Sequence, residues 1–115
     1  MTDATDCIFC RIVAGEIPGD VVHATEHTVA FRDLDPQAPL HVLVVPREHH
    51  ANAAELAAAH PAAMAELVSA AHAVATAEGH DDYRLVLNTG SQAGQSVFHT
   101  HLHLLAGRSM TWPPG

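Results

Sequence analysis

The 115-residue sequence predicts an α+β fold: a five-stranded antiparallel sheet with one long and one short helix, forming a single domain over residues 1–115. Three observations carry this. Runs rich in β-branched residues follow one another across short turns, as hairpins do. One alanine-rich stretch repeats apolar residues at three-four spacing, the period of a helix lying on a core. Near the end, Phe98-His99-Thr100-His101-Leu102-His103-Leu104-Leu105 alternates with period two, as a strand does.

Residues Cys7 to Glu16 read as the short helix, with Ile8 and Ile12 on one face and a stop at Gly15 before the turn at Pro18-Gly19. Val21–Ala24 and Thr28–Arg32 read as an antiparallel hairpin. The two prolines of Asp33–Pro39 make a loop, and His41–Val45 is the strongest strand by propensity, ended by Pro46. Asn52 is placed to cap a short helical turn. Pro61 opens the long helix, whose stripe of Met64, Leu67, Val68, Ala71, Val74 and Ala75 is expected in the core, and Gly79 closes it. Tyr83–Leu87 is the fourth strand, the glycine-bearing loop Asn88–Ser96 follows, and the histidine strand is the fifth. Helices should cover one face of the sheet and leave the other for the site.

Five Lys plus Arg against thirteen Asp plus Glu give a net charge of −8 with no basic cluster, which excludes the electrostatic footprint of a nucleic-acid binder. A small phosphate compound would have to be held by backbone N–H groups, neutral donors and imidazole. No apolar run is long enough for a membrane span, and Met1–Asp6 lacks the basic and apolar regions of a signal peptide, so the expected compartment is the cytoplasm. The only cysteines, Cys7 and Cys10, form a Cys-x2-Cys pair. In a reducing compartment this is a metal knuckle or a redox pair, and no buried strand precedes it as a redox pair requires. A structural zinc would take two further ligands from the eleven histidines.

On a strand, His99, His101 and His103 share one face, with successive rings roughly 6 to 7 Å apart. Packing gains little from repeated imidazoles where Val or Ile would serve, which leaves a catalytic array or a metal site. In the first case a neutral imidazole attacks phosphorus, provided one ring nitrogen gives its proton to a fixed acceptor and leaves the other as a lone pair. His101, at the centre, is then the nucleophile and His103 a donor to phosphate oxygen, with Ser96 and His41 as candidates for the leaving group. In the second case Asp33 or Asp35 would complete the ligand set. The loop Asn88–Ser96 offers amide, hydroxyl and exposed backbone donors suited to an anion.

These residues resemble the histidine triad signature, His-φ-His-φ-His-φ-φ with φ apolar, read here as His99 to Leu105 with Thr100 at one apolar position. Asp33-Leu34-Asp35-Pro36-Gln37-Ala38-Pro39-Leu40-His41, Gly94-Gln95-Ser96-Val97 and the terminal Trp112-Pro113-Pro114-Gly115 are similar to the Hint branch of that superfamily. The resemblance implies a homodimeric purine nucleoside phosphoramidase that works through a nucleotidyl-histidine on His101. It implies that Ile8, Phe9, Phe31 and Leu34 sandwich the purine and that Asp33 accepts from the ribose hydroxyls. Asn88, Gly94, Gln95, Ser96, Val97 and His103 would surround the phosphate. Several members hold a structural zinc, here through Cys7, Cys10, His49 and His99, with His50 competing with His49. The alternatives are a dinucleoside polyphosphate hydrolase of the Fhit type, against which the Trp112-Pro113-Pro114-Gly115 ending argues, a nucleotide-binding adaptor, and a metalloenzyme.

Overall fold

The computed structural model describes residues 6–115; residues 1–5, most of the stretch expected to carry no targeting signal, lie outside them. Five strands, β1 (Val21–Ala24), β2 (Thr28–Arg32), β3 (Leu40–Pro46), β4 (Arg84–Val86) and β5 (Leu102–Ala106), form one sheet in the order β1-β2-β3-β5-β4. Every neighbouring pair is antiparallel. The helices are α1 (Ile8–Val13), α2 (Ala53–Ala59) and α3 (Pro61–Ala77). The expectation of one long and one short helix is corrected by α2. Asn52 caps it fully, its side-chain oxygen accepting from the Glu55 N–H at 3.0 Å, and the cap turns an alanine-rich stretch of strong helix formers into two turns of helix.

Period-two alternation in β3 and β5 sends Leu40, Val42, Val44, Leu102 and Leu104 to one face, where they meet Leu56 of α2 and Leu67, Ala71, Val74 and Ala75 of α3. Leu67 is fully buried there, a placement worth about 1.5–3 kcal/mol. Val68 departs from its expected core position and is 46% exposed, because it sits at the flank of the stripe while Leu67 and Ala71 take the centre. On the opposite face Phe9 of α1 packs with Val29, Phe31, Leu43 and Val45, so that face has a smaller apolar cluster of its own.

Two strands are shorter than their sequence patterns. The fourth keeps only Arg84–Val86 of Tyr83–Leu87, and the fifth begins at Leu102, leaving His99 and His101 ahead of it. The β3–β5 register pairs Val44 with Leu102. Extended two residues further, it would set Thr100 opposite Pro46, which has no N–H to give to a ladder. Thr100 instead donates both its N–H (2.8 Å) and its hydroxyl (3.0 Å) to the carbonyl of His50.

Candidate active site

The register sets His103 opposite Leu43, Leu43 opposite Phe31, and Phe31 opposite Val21. Residues paired across antiparallel strands point to the same face, so one row runs from an imidazole on β5 to the hairpin edge. His41 stands two residues before Leu43 on the same face. Helix α1 lies over this row: Phe9 meets Phe31 edge-on at 5.4 Å between ring centroids and His101 at 5.1 Å. Between them lies a cleft of about 250 Å³. Its walls are apolar where Ile8, Phe9, Ile12, Phe31 and Leu43 meet, and polar where Ser96, His101 and His103 meet.

The hydrogen bonds fix the tautomers. His101 Nδ1 is 2.8 Å from the carbonyl oxygen of His99, which only accepts, so Nδ1 carries the proton and Nε2 is a bare lone pair. His41 Nδ1 accepts from the Gln37 N–H at 3.0 Å, which puts the proton of the neutral ring on Nε2. That proton is donated to His103 Nδ1 at 2.9 Å, and His103 is thereby left with a proton on Nε2. One face therefore presents a nucleophilic nitrogen beside an N–H donor, with the two rings 5.0 Å apart.

Burial keeps these rings neutral. His103 is pushed down to about 4 by desolvation, then by the neighbouring His101 and His41. His101 is lowered by desolvation, against its bond to the His99 carbonyl and the charge of Asp33. His41 is lowered by desolvation in spite of Asp33 and Asp35. Asp33 Oδ2 lies 3.5 Å from His41 Nε2, so Asp33, His41 and His103 also form a cluster, with a carboxylate at the cleft's rim.

Of the residues expected around a nucleotide, Ile8, Phe9, Phe31, Asp33, Leu34, Ser96, Val97, His101 and His103 all line this cleft. Leu34 is wholly exposed at its mouth, which excludes a core role. Asn88, Gly94 and Gln95 do not line the cleft and sit in the loop that leads to Ser96. The Gln95 amide is buried, accepting from Gly90 N–H (2.9 Å) and donating to the carbonyls of Ala51 (2.6 Å) and Val97 (3.1 Å), so it braces the loop. Gly94, at φ +100°, gives that loop a turn that other residues rarely adopt. His41 has both nitrogens engaged inside the protein, which suits orienting His103 better than handling a leaving group. Sequence reasoning missed Leu43, Ile12, Gly19, Asp20 and Arg32 of the cleft, and the Gln37 N–H. Only the register and the fold of the 18–20 turn over α1 bring them there.

Residues 14–110 match the family described as the HIT domain. The chain belongs to the HIT family. A HIT family hydrolase of Legionella pneumophila superposes with a TM-score of 0.90 at 47% identity, covering 95% of this chain and 99% of that one. The purine nucleoside phosphoramidase of Escherichia coli K12 is 39% identical over 93% of this chain and 92% of its own. A 14 kDa zinc-binding protein of Zea mays is 43% identical over 98% and 91%. The fold is thus the one shared with HIT family hydrolases, and the paired imidazoles lie within the matched residues.

Beside this HIT site stands a second cluster. One ligand atom each from Cys7, Cys10, His49 and His99 lie within 4.8 Å of one another. His99 Nδ1 is 3.4 Å from Cys7 Sγ, 3.5 Å from Cys10 Sγ and 3.1 Å from His49 Nδ1. Its other nitrogen donates to the Pro46 carbonyl at 2.8 Å, the kind of outer bond that holds a ligating imidazole in one tautomer. Two thiols and two imidazoles converging on one point fit a tetrahedral zinc. His50, the competing ligand, has its Nε2 2.9 Å from Glu48 Oε1. Burial and the neighbouring Cys7 raise the Cys10 thiol to about 11, a cost that a divalent cation would reverse.

Among the described residues no helix is long and apolar enough to cross a membrane.

Proposed function

We propose that this HIT protein hydrolyses the P–N bond of purine nucleoside 5′-phosphoramidates. The observation that carries the reading is the bond from His101 Nδ1–H to the His99 carbonyl, which reserves Nε2 for attack. The Nε2 lone pair adds to phosphorus as the P–N bond to the amine breaks, and the amine departs with the Ser96 hydroxyl proton, which Ser96 regains from the attacking water of the second step. His103 Nε2–H donates to a phosphoryl oxygen, where charge builds in the transition state. Water then attacks the same phosphorus, releasing the nucleoside monophosphate and restoring His101.

The cleft suits such a substrate: its apolar walls would grip a purine between Phe9, Ile8, Phe31 and Leu34, and Asp33 would accept from the ribose. Ser96 and Val97 would meet the phosphate, with Asn88, Gly94 and Gln95 shaping the loop that presents them. The Escherichia coli relative's name supports this reading over a dinucleoside polyphosphate hydrolase. Rapid quenching with an adenosine 5′-phosphoramidate, followed by mass spectrometry, should find one adenylyl group on the peptide carrying His101. An unmodified peptide during turnover, or faster hydrolysis of diadenosine triphosphate than of the phosphoramidate, would refute it.

A zinc ion on Cys7, Cys10, His49 and His99 would tie α1 to the sheet and take no part in the chemistry, and it requires the reduced thiols of the cytoplasm. The protein is read as a homodimer. Supporting this, Val68, Leu87 and Trp112 are exposed at 46%, 37% and 83%, and β4 is a sheet edge beside an open depression of about 720 Å³ lined by Tyr83, Arg84, Leu105 and Met110. Sedimentation at micromolar concentration should give twice the 12.2 kDa chain mass.

A further inference from the structure

The tautomer of His103 depends on one loop amide, the Gln37 N–H that meets His41 Nδ1 at 3.0 Å. Gln37 is exposed and lies between Pro36 and Pro39 in the connection from β2 to β3, so no core packing holds that amide in place. The groups that do hold it come from the far end of the chain.

The β3–β5 register pairs Leu40 with Ala106, so the chain leaving β5 runs beside the loop entering β3. Pro39, next in line, has no N–H for a ladder, and the chain turns away at Gly107 with φ +96°. A Cβ on Gly107 would lie 2.9 Å from Pro39 Cβ, so glycine lets this turn press on the loop. The turn delivers Arg108, whose Nε–H donates to the Gln37 carbonyl at 2.9 Å while its Nη1 donates to the Ser109 carbonyl at 3.1 Å. Within the loop the Gln37 side chain donates to the Asp35 carbonyl at 3.0 Å, and Asp35 N–H to Asp33 Oδ1 at 2.8 Å.

We propose that Arg108 is a positioning residue for the reaction: by holding the Gln37 carbonyl it sets the Gln37 N–H on His41 Nδ1, and through His41 it keeps a proton on His103 Nε2. This rests on the hydrolase reading of the cleft. Arg108 does not line the cleft and touches no reacting atom. The carbonyl and the N–H of Gln37 flank one Cα, so a charge-assisted bond to the first restrains the direction of the second. Once released, the amide no longer dictates the tautomer. A proton on His41 Nδ1 leaves its Nε2 bare, and His103 then donates from its own Nδ1. The Nε2 lone pair of His103 would face the phosphoryl oxygen to which it should donate.

The test replaces Arg108 with Met, which keeps the aliphatic stem and removes every donor, and with Lys, which keeps a donor. Arg108 is exposed, so both variants should fold. Arg108→Met should lower kcat on an adenosine 5′-phosphoramidate about three- to tenfold with KM within about twofold, and Arg108→Lys should recover part of the loss. In a His41→Ala background Arg108→Met should cost less than about 1.5-fold, because its route to His103 is already cut. Losses that multiply, or no loss in Arg108→Met alone, would overturn the inference. Nitrogen NMR of isotopically labelled imidazoles at neutral pH reads the same device without turnover. The wild type should show His103 protonated at Nε2, and Arg108→Met a mixture of tautomers; an unchanged His103 tautomer in Arg108→Met would also overturn it. Should the wild type cleave no phosphoramidate, the hydrolase reading fails, and the spectra still decide whether Arg108 sets the tautomer.

Discussion

His41 Nε2 lies 2.9 Å from His103 Nδ1, and the backbone N–H of Gln37, 3.0 Å from the other nitrogen of His41, decides which ring gives the proton. A peptide N–H cannot accept, so the chain of bonds has one direction and ends at a proton on His103 Nε2. Two rings of equal intrinsic basicity acquire different duties because one loop amide faces one of them.

His41→Ala should therefore lower kcat on a phosphoramidate about 10- to 100-fold with little change in KM, because His103 loses its fixed tautomer while the cleft walls stay. His41→Gln, whose amide still donates at that place, should recover part of the loss. Steady-state kinetics of both variants check this, and equal rates for Ala and Gln would show that the proton on Nε2 does not matter.

His101→Ala should reduce turnover by about 10⁴-fold or more, since no other bare imidazole nitrogen is set at the cleft, while AMP affinity survives on the apolar walls. Single-turnover kinetics and calorimetry separate the two effects.

Acid should destabilise the fold in a defined window. His103 titrates near 4 in the folded protein and about 6.5 when unfolded, and His41 is shifted in the same direction. Between those values the unfolded chain binds more protons, so stability is full above about pH 6.5 and is lost progressively as the pH falls toward 4. Thermal melts from pH 7.5 to 4.5 should show this slope, and His103→Gln should flatten it. Parallel slopes in the two proteins would contradict the assignment.

Loading zinc should raise Tm by about 5 °C or more over the metal-free protein, with a strong chelator reversing the gain. Cys7→Ala should abolish the response, and the wild type should keep turnover with chelator present at temperatures where it stays folded. Loss of activity in step with the metal at low temperature would point instead to metal-dependent chemistry.

Much of the fold was legible along the chain. The hairpin Val21–Ala24 with Thr28–Arg32 fell where its β-branched residues and turn set it, and Pro61 opens α3 as its missing N–H allows. Patterns that depend on neighbours were not legible. The alternation through His99 and His101 looks like strand, yet a ladder needs a donor opposite, and Pro46 has none. Val68 matched the helical stripe, but the width of the face that the sheet covers is set by packing. Asn52 was readable as a cap, while the helix behind it depended on docking Leu56.

The sequence by itself determined the residue types and their period: three imidazoles in alternation, a Cys-x2-Cys pair and a loop of neutral donors in a chain too acidic for polyanions. These are local facts, fixed by covalent order and backbone geometry. Tertiary structure alone decided that His99 faces the thiols while His101 and His103 face the cleft. Tautomers and neighbours depend on which distant atom, a Pro46 carbonyl or a Gln37 amide, lies within 3 Å, and such distances come only from packing.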